Sequence, residues 1–266
     1  MAKLPRRRFP CFRRLPLAAL LLSACLVPPA MAPMAAEQAA VDRGALLRAF
    51  GDAAFSYLPE TQEARLLKWE GEVRIAGLGT PSRAMTLTVE ELSRGIKRVT
   101  GLAMGYTGQE VNFLIAFSNR PEADLTGRWA DYAAPFFEDE AHLRQAAAAL
   151  EAAGAPPCLA KLVIEERAIR AALIVVRTDG DEALANQCLA HEMLGAMGII
   201  RTARLPDDSL LRQPTAAFAT GSPVALSDSD RALLWLIYHK NMPHAVGKAD
   251  GMGIAEILLE KVPGLE

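Results

Sequence analysis

The stretch Cys188-Leu189-Ala190-His191-Glu192-Met193-Leu194-Gly195-Ala196-Met197-Gly198 decides how this chain is read. It forms the end of a helix expected over residues 182–197, with Asp179-Gly180-Asp181 offering the cap at its start. Gly198 follows the helix end, and Gly195 and Gly198 suit close packing and termination. Two titratable groups, His191 and Glu192, sit side by side in the apolar run. Glu192 follows Cys188 by four residues, so the two share a helix face.

Upstream, residues 159–166 and 169–176 are two β-type runs joined so closely that a hairpin is the natural reading. Cys158 precedes the hairpin and Cys188 lies on the helix after it. A hairpin returns the chain to its origin, which makes the two thiols neighbours. Cys11 and Cys25 belong to the N-terminal leader, so Cys158 and Cys188 are the remaining pair. In an oxidising compartment such a pair is a disulfide, contributing about 2–4 kcal/mol.

The rest of the chain supplies alternating elements. Residues 39–57 have a helical apolar period ending before Pro59, and residues 69–75 alternate as a first strand. A turn at 77–82 leads to a helix over 86–100, with Thr88 and Glu91 as its capping box and Gly101 as its stop. Residues 111–117 are rich in β-branched and aromatic side chains and form the second strand. Residues 131–137 are irregular, and an Ala-rich helix follows over 138–153. After Gly198 comes a long loop, then a helix over 227–238 capped by Ser227 or Asp228. Residues 239–253 read as turns and 254–262 as a short terminal helix. The expected class is α+β, a mixed sheet with the 182–197 helix and a C-terminal helix, in a single domain over 41–266.

Composition limits the function classes. Residues 1–14 hold six basic residues and no acid, and an apolar run from Leu15 to Val27 follows, the layout of an export signal over residues 1–25. Two processing readings stand. Leu22-Ser23-Ala24-Cys25 is similar to a lipobox, in which Cys25 is lipidated; ordinary cleavage near Ala30-Met31-Ala32 is the other. Residues 26–40 read as a flexible tether. Export places the protein in the periplasm or on the outer membrane as a lipoprotein, touching a membrane only through that anchor. Taking the six leader cations from 29 basic residues leaves 23 against 31 acidic ones, a net charge of −8. With no basic stripe, nucleic acid is set aside as a partner.

His191-Glu192-Met193-Leu194-Gly195 is half of a metal-binding pattern. Two imidazoles four apart on one helix face hold zinc while the intervening Glu polarises its water. Here Gly195 stands where the second imidazole belongs. Laid over residues 191–201, the longer metzincin signature matches at His191, Glu192 and Gly198, while Gly195 and Arg201 replace two ligands. The order of elements also resembles a metzincin, and Thr215-Ala216-Ala217-Phe218 is the nearest match to its Met-turn, with Phe in place of Met. This resemblance implies a zincin-like fold with a degenerate metal site. A site built from His191, His239 and His244 is a further arrangement. No G-x-S-x-G elbow, phosphate loop or dinucleotide fingerprint occurs.

A second resemblance is to a bacterial exported domain-of-unknown-function family, numbered two-nine-two-seven. It rests on Cys158, the Ile169-Arg170-Ala171-Ala172-Leu173-Ile174-Val175 rhythm, Cys188, Glu192 and Gly198-Ile199. It continues through the Asp207-Asp208-Ser209 loop, Leu226-Ser227 with Asp230, and Ile237-Tyr238, and is best over residues 155–250. Members have Glu where this chain has His191, which marks that histidine as a local substitution. The expectation is an exported cell-envelope protein without cofactor, a binding or structural module for an envelope protein or peptide. The alternative is an active zinc-dependent peptidase or hydrolase, with His191 as ligand and Glu192 as base.

Overall fold

The computed structural model describes residues 42–58, 63–108, 110–200, 204–219 and 224–262. The export signal with Cys25, the tether, and Arg201 lie outside them.

The chain opens with α1 (Arg43–Ala53), then the strands β1 (Phe55–Leu58) and β2 (Glu63–Leu66), which pair antiparallel. Next come β3 (Val73–Gly79), α2 (Arg83–Thr100), β4 (Met104–Tyr106) and β5 (Phe113–Ser118). Two short helices, α3 (Pro121–Thr126) and α4 (Ala130–Ala133), lead to α5 (Glu140–Glu151). The hairpin β6 (Cys158–Glu165) and β7 (Ala168–Arg177) follows, then α6 (Glu182–Ala196). The long loop contains 3-10 turns at Leu210–Arg212 and Thr215–Phe218, and α7 (Asp228–Tyr238) and α8 (Lys248–Leu258) close the domain.

Five strands make one mixed sheet in the order β4-β3-β5-β7-β6. The first four are parallel and β6 is the antiparallel outer strand. Parallel strands are stable when both faces are covered, and β5 shows it, with every residue from Phe113 to Ser118 buried. Alternate side chains serve two cores. Leu114, Ala116, Leu173 and Val175 pack with Leu125, Trp129, Leu143 and Leu150 of the α3–α5 segment. Phe113, Ile115, Phe117, Ile174 and Val176 face the larger core, built with α1, α2, α6, α7 and α8.

Several expectations need correction. The helix read over 39–57 stops at Ala53, because Phe55 turns back to pair with Leu66 and packs edge-on against Phe50, 5.3 Å between ring centroids. The first sheet strand begins at Val73 and not Trp69, and it runs through the expected turn to Gly79. Trp69 makes only an isolated bridge to Ile169, and its backbone N–H donates to Tyr238 Oη at 3.3 Å. The helix read from Thr86 starts at Arg83 with Ser82 as cap. Ala84 and Met85 extend its buried stripe backward, which leaves Thr88 wholly buried in mid-helix and not at a capping box. The terminal helix begins at Lys248, inside the expected turns. Its Gly251 is there for close approach: a Cβ would lie 2.7 Å from the Phe55 ring.

The reading around the quoted stretch holds. The hairpin and helix fall within a residue or two of their expected limits. Cys158 and Cys188 form a disulfide with Cα atoms 5.9 Å apart, fastening the first residue of the outer strand to the middle of α6.

Candidate functional site

The quoted stretch is most of α6. Leu189, Ala190, Met193 and Leu194 are buried against the sheet, while Cys188, His191, Glu192 and Gly195 form a half-exposed stripe. That stripe divides. His191 faces the long loop after α6, and Glu192 faces the disulfide and the outer strand.

On the loop side, the Nε2–H of His191 donates to the Leu210 carbonyl at 3.1 Å. A carbonyl only accepts, so Nε2 carries the proton and Nδ1 keeps the lone pair of the neutral ring. Phe218 packs edge-on beneath the imidazole, 5.9 Å between centroids, and its carbonyl accepts from Asn186 Nδ2 at 3.3 Å. Burial pushes the imidazole below the usual histidine range, opposed by the Leu210 carbonyl and the nearby Asp230 charge.

The loop is itself clamped. Asp230, wholly buried, accepts from Ser209 Oγ at 2.6 Å, Leu210 N at 2.9 Å and Ser227 Oγ at 2.8 Å. Asp208 accepts in turn from Ser229 N at 3.1 Å and Ser229 Oγ at 2.6 Å. Burial pushes the Asp230 carboxyl up while these donors hold it down. At the far end of α6, the Trp69 indole donates to the Ala196 carbonyl at 2.8 Å, and Tyr238 Oη donates to Met197 O at 3.1 Å. Gly198, at φ 99°, turns the chain so tightly that a Cβ would meet Leu67 O at 2.6 Å.

On the strand side, the Glu192 carboxylate has no hydrogen bond or ion pair among the described residues. Burial alone pushes it above the usual carboxylate range. A ligand atom of Glu192 and the two cysteine sulfurs lie within 4.8 Å of one another. This is the one such group of three or more His, Cys, Asp or Glu ligands among the described residues, and His191 is not in it.

The site built from His191, His239 and His244 is not formed. His239 packs at a tilt against Trp235 at the end of α7, 4.5 Å between ring centroids, and His244 lies beside the Glu166 carbonyl near the β6–β7 turn. The sequence singled out the loop residues Asp207-Asp208-Ser209 and the α7 residues Ser227 and Asp230 separately. It did not show that one set locks onto the other. The capping box of Ser227 and Asp230 was the available signal, and the structure adds that Asp230 reaches past its own helix to Ser209 and Leu210.

This geometry defines an α/β domain whose last sheet strand feeds a helix capped locally by Asp181 and held at its far end by Trp69 and Tyr238, distant in sequence. The chain belongs to the family described as Protein of unknown function (DUF2927), whose model matches residues 44–252. The match begins well before residue 155, so the first half of the domain, featureless as motif, belongs to the family unit as well. No curated protein and no solved structure matches the chain.

Proposed function

We propose that this protein is an exported binding or structural module of the cell envelope, derived from a zincin-like ancestor whose metal site has decayed. The observation that carries the reading is that His191 stands without companion ligands among the described residues. The fourth residue onward is Gly195, and no other His, Cys, Asp or Glu among the described residues joins His191 in a ligand group of three. A lone imidazole does not hold catalytic zinc, which takes three protein ligands.

Descent from a zincin is supported by the order of elements around a mixed sheet and by the position of Thr215–Phe218. The segment that resembles a Met-turn lies directly against His191, as it would beneath a metal. Export is supported by the basic and apolar leader and agrees with the Cys158–Cys188 disulfide, since such bonds persist in oxidising compartments. An envelope protein or peptide as partner fits the outer strand β6, since an edge strand offers main-chain groups to an extended segment.

The competing reading, an active zinc hydrolase, draws on the unpaired Glu192, whose raised carboxyl suits a general base. Hydrolysis of an unfolded protein substrate separates the two. The module reading expects no turnover that chelation or Glu192→Gln removes; activity lost under both treatments would replace it with the enzyme.

A further inference from the structure

Where α6 meets the start of β6, three groups that could hold a metal come together. Cys158 and Cys188 are joined, and Glu192 points at them from one helical turn beyond Cys188. A half-buried carboxylate normally finds a donor or a cation, yet none of the described residues supplies one. The two cysteines differ in access. Cys158 is 3% exposed on the outer strand, whereas Cys188 and Glu192 both reach the surface.

We propose that reduction of the Cys158–Cys188 disulfide creates a metal site, in which both thiolates and the Glu192 carboxylate bind one zinc-like divalent cation. In the redox step a dithiol reductant gives up two electrons and two protons and becomes a disulfide, while the protein disulfide becomes two thiols. Metal binding then releases both thiol protons to solvent. The inference goes beyond the envelope reading and does not rest on it.

Geometry and ligand type both favour this occupant. Tetrahedral zinc with Zn–S bonds of about 2.3 Å sets its two sulfurs roughly 3.8 Å apart. Cα atoms 5.9 Å apart on a strand and a helix allow that separation through side-chain rotation alone. The Glu192 oxygen already lies within 4.8 Å of both sulfurs. Two soft thiolates select zinc or cobalt over calcium or magnesium. A single carboxylate as third ligand leaves the fourth position to water on the exposed side. Burial, which makes an isolated Glu192 anion costly, becomes favourable once a dication stands beside it. The reduced form thereby gains a cross-link between β6 and α6 in place of the one it lost. The disulfide and the metal are alternative fastenings for the same two elements.

The test uses the full chain with Cys11 and Cys25 changed to Ser, so that only the proposed thiols remain. Cobalt(II) is titrated into the oxidised protein and into protein reduced with a phosphine, since a dithiol would itself chelate the metal. The expected result is a thiolate-to-cobalt charge-transfer band in the reduced protein alone. It should saturate at about one equivalent, be displaced by zinc, and be abolished by Cys158→Ser or Cys188→Ser. Glu192→Gln should keep the fold and weaken binding by roughly tenfold or more, since loss of a direct ligand costs at least as much as loss of a supporting one. His191→Ala should leave the band unchanged, which separates this site from any metal held by the peptidase-like motif. Absence of the band in reduced protein overturns the proposal, as does a band indifferent to Glu192→Gln. Unfolding on reduction that metal does not reverse overturns it equally.

Discussion

Replacing Cys158 and Cys188 together by Ser removes the cross-link without leaving a free thiol, and the expected cost follows from the loop it closes. The cysteines are 30 residues apart. The loop-entropy relation gives about 3.6 kcal/mol for a loop of that length at 25 °C. For a domain of this size each kcal/mol moves the midpoint by about 2–4 °C, so Tm should fall by roughly 7–14 °C. Local structure adds direction. Cys158 pairs with Val176 at the start of β6, an outer strand supported by one neighbour, and the disulfide fastens that end to α6. Amide exchange should therefore rise first along residues 158–165 and least on β5. Urea unfolding of parent and double variant measures the free-energy difference, with the parent repeated under reductant. A loss below about 1 kcal/mol, or exchange rising equally across the sheet, would refute the claim that this bond restrains the outer strand.

Other consequences concern α6 and its loop. Asp230→Ala leaves Ser209 Oγ and the Leu210 N–H without their buried acceptor. At about 1–3 kcal/mol for each unsatisfied group, the loss should reach roughly 2–6 kcal/mol in chemical denaturation. Gly198→Ala forces a Cβ toward Leu67 O in a left-handed conformation and should cost about 1–3 kcal/mol, checked by thermal unfolding. Glu192 has a carboxyl raised by burial in the folded state. It therefore binds its proton more tightly folded than unfolded, and stability drops as pH rises through the folded-state value. Glu192→Gln escapes that loss. The variant should be more stable than the parent at neutral pH, with the gap closing as the pH falls below the ordinary carboxylate range. A gap that widens toward acid would show that the carboxylate has a favourable partner.

The parts of the fold legible in the sequence are those whose cause is local. The β6–β7 hairpin, α6 and α7 each carry period, caps and breakers within one window, and of the two candidate caps for α7 it is Ser227 that serves, with Asp230 completing a capping box. The disulfide was legible because a hairpin fixes where its two ends meet. What escaped depends on distant partners. Strand β1 follows α1 without a breaker, and its extended form comes from Leu66 and Phe50. Strand β4 has three residues, too few for a period. Helix α8 contains Gly251 and Gly253, which read as turns, yet Gly251 is required by the Phe55 ring pressed against it.

The candidate site divides along the same line. His191 and Glu192 were visible as adjacent groups on a helix, but neighbours in sequence point to different sides of it. One meets the loop held by Asp230, and the other meets the disulfide. Nothing in the local sequence states that separation, because it depends on where the loop and the outer strand pack. The family motif acquires a physical reading from it. Ser209 and Asp230 place the Leu210 carbonyl over His191, while Tyr238 secures the end of the same helix.

Whether His191 serves a catalytic metal is decided by the metal content of the oxidised protein after exhaustive dialysis. Keeping the Cys158–Cys188 bond intact leaves the peptidase-like motif as the site in question. The expectation is zinc far below one equivalent, with no change on His191→Ala. Zinc at about one equivalent that His191→Ala removes would contradict it.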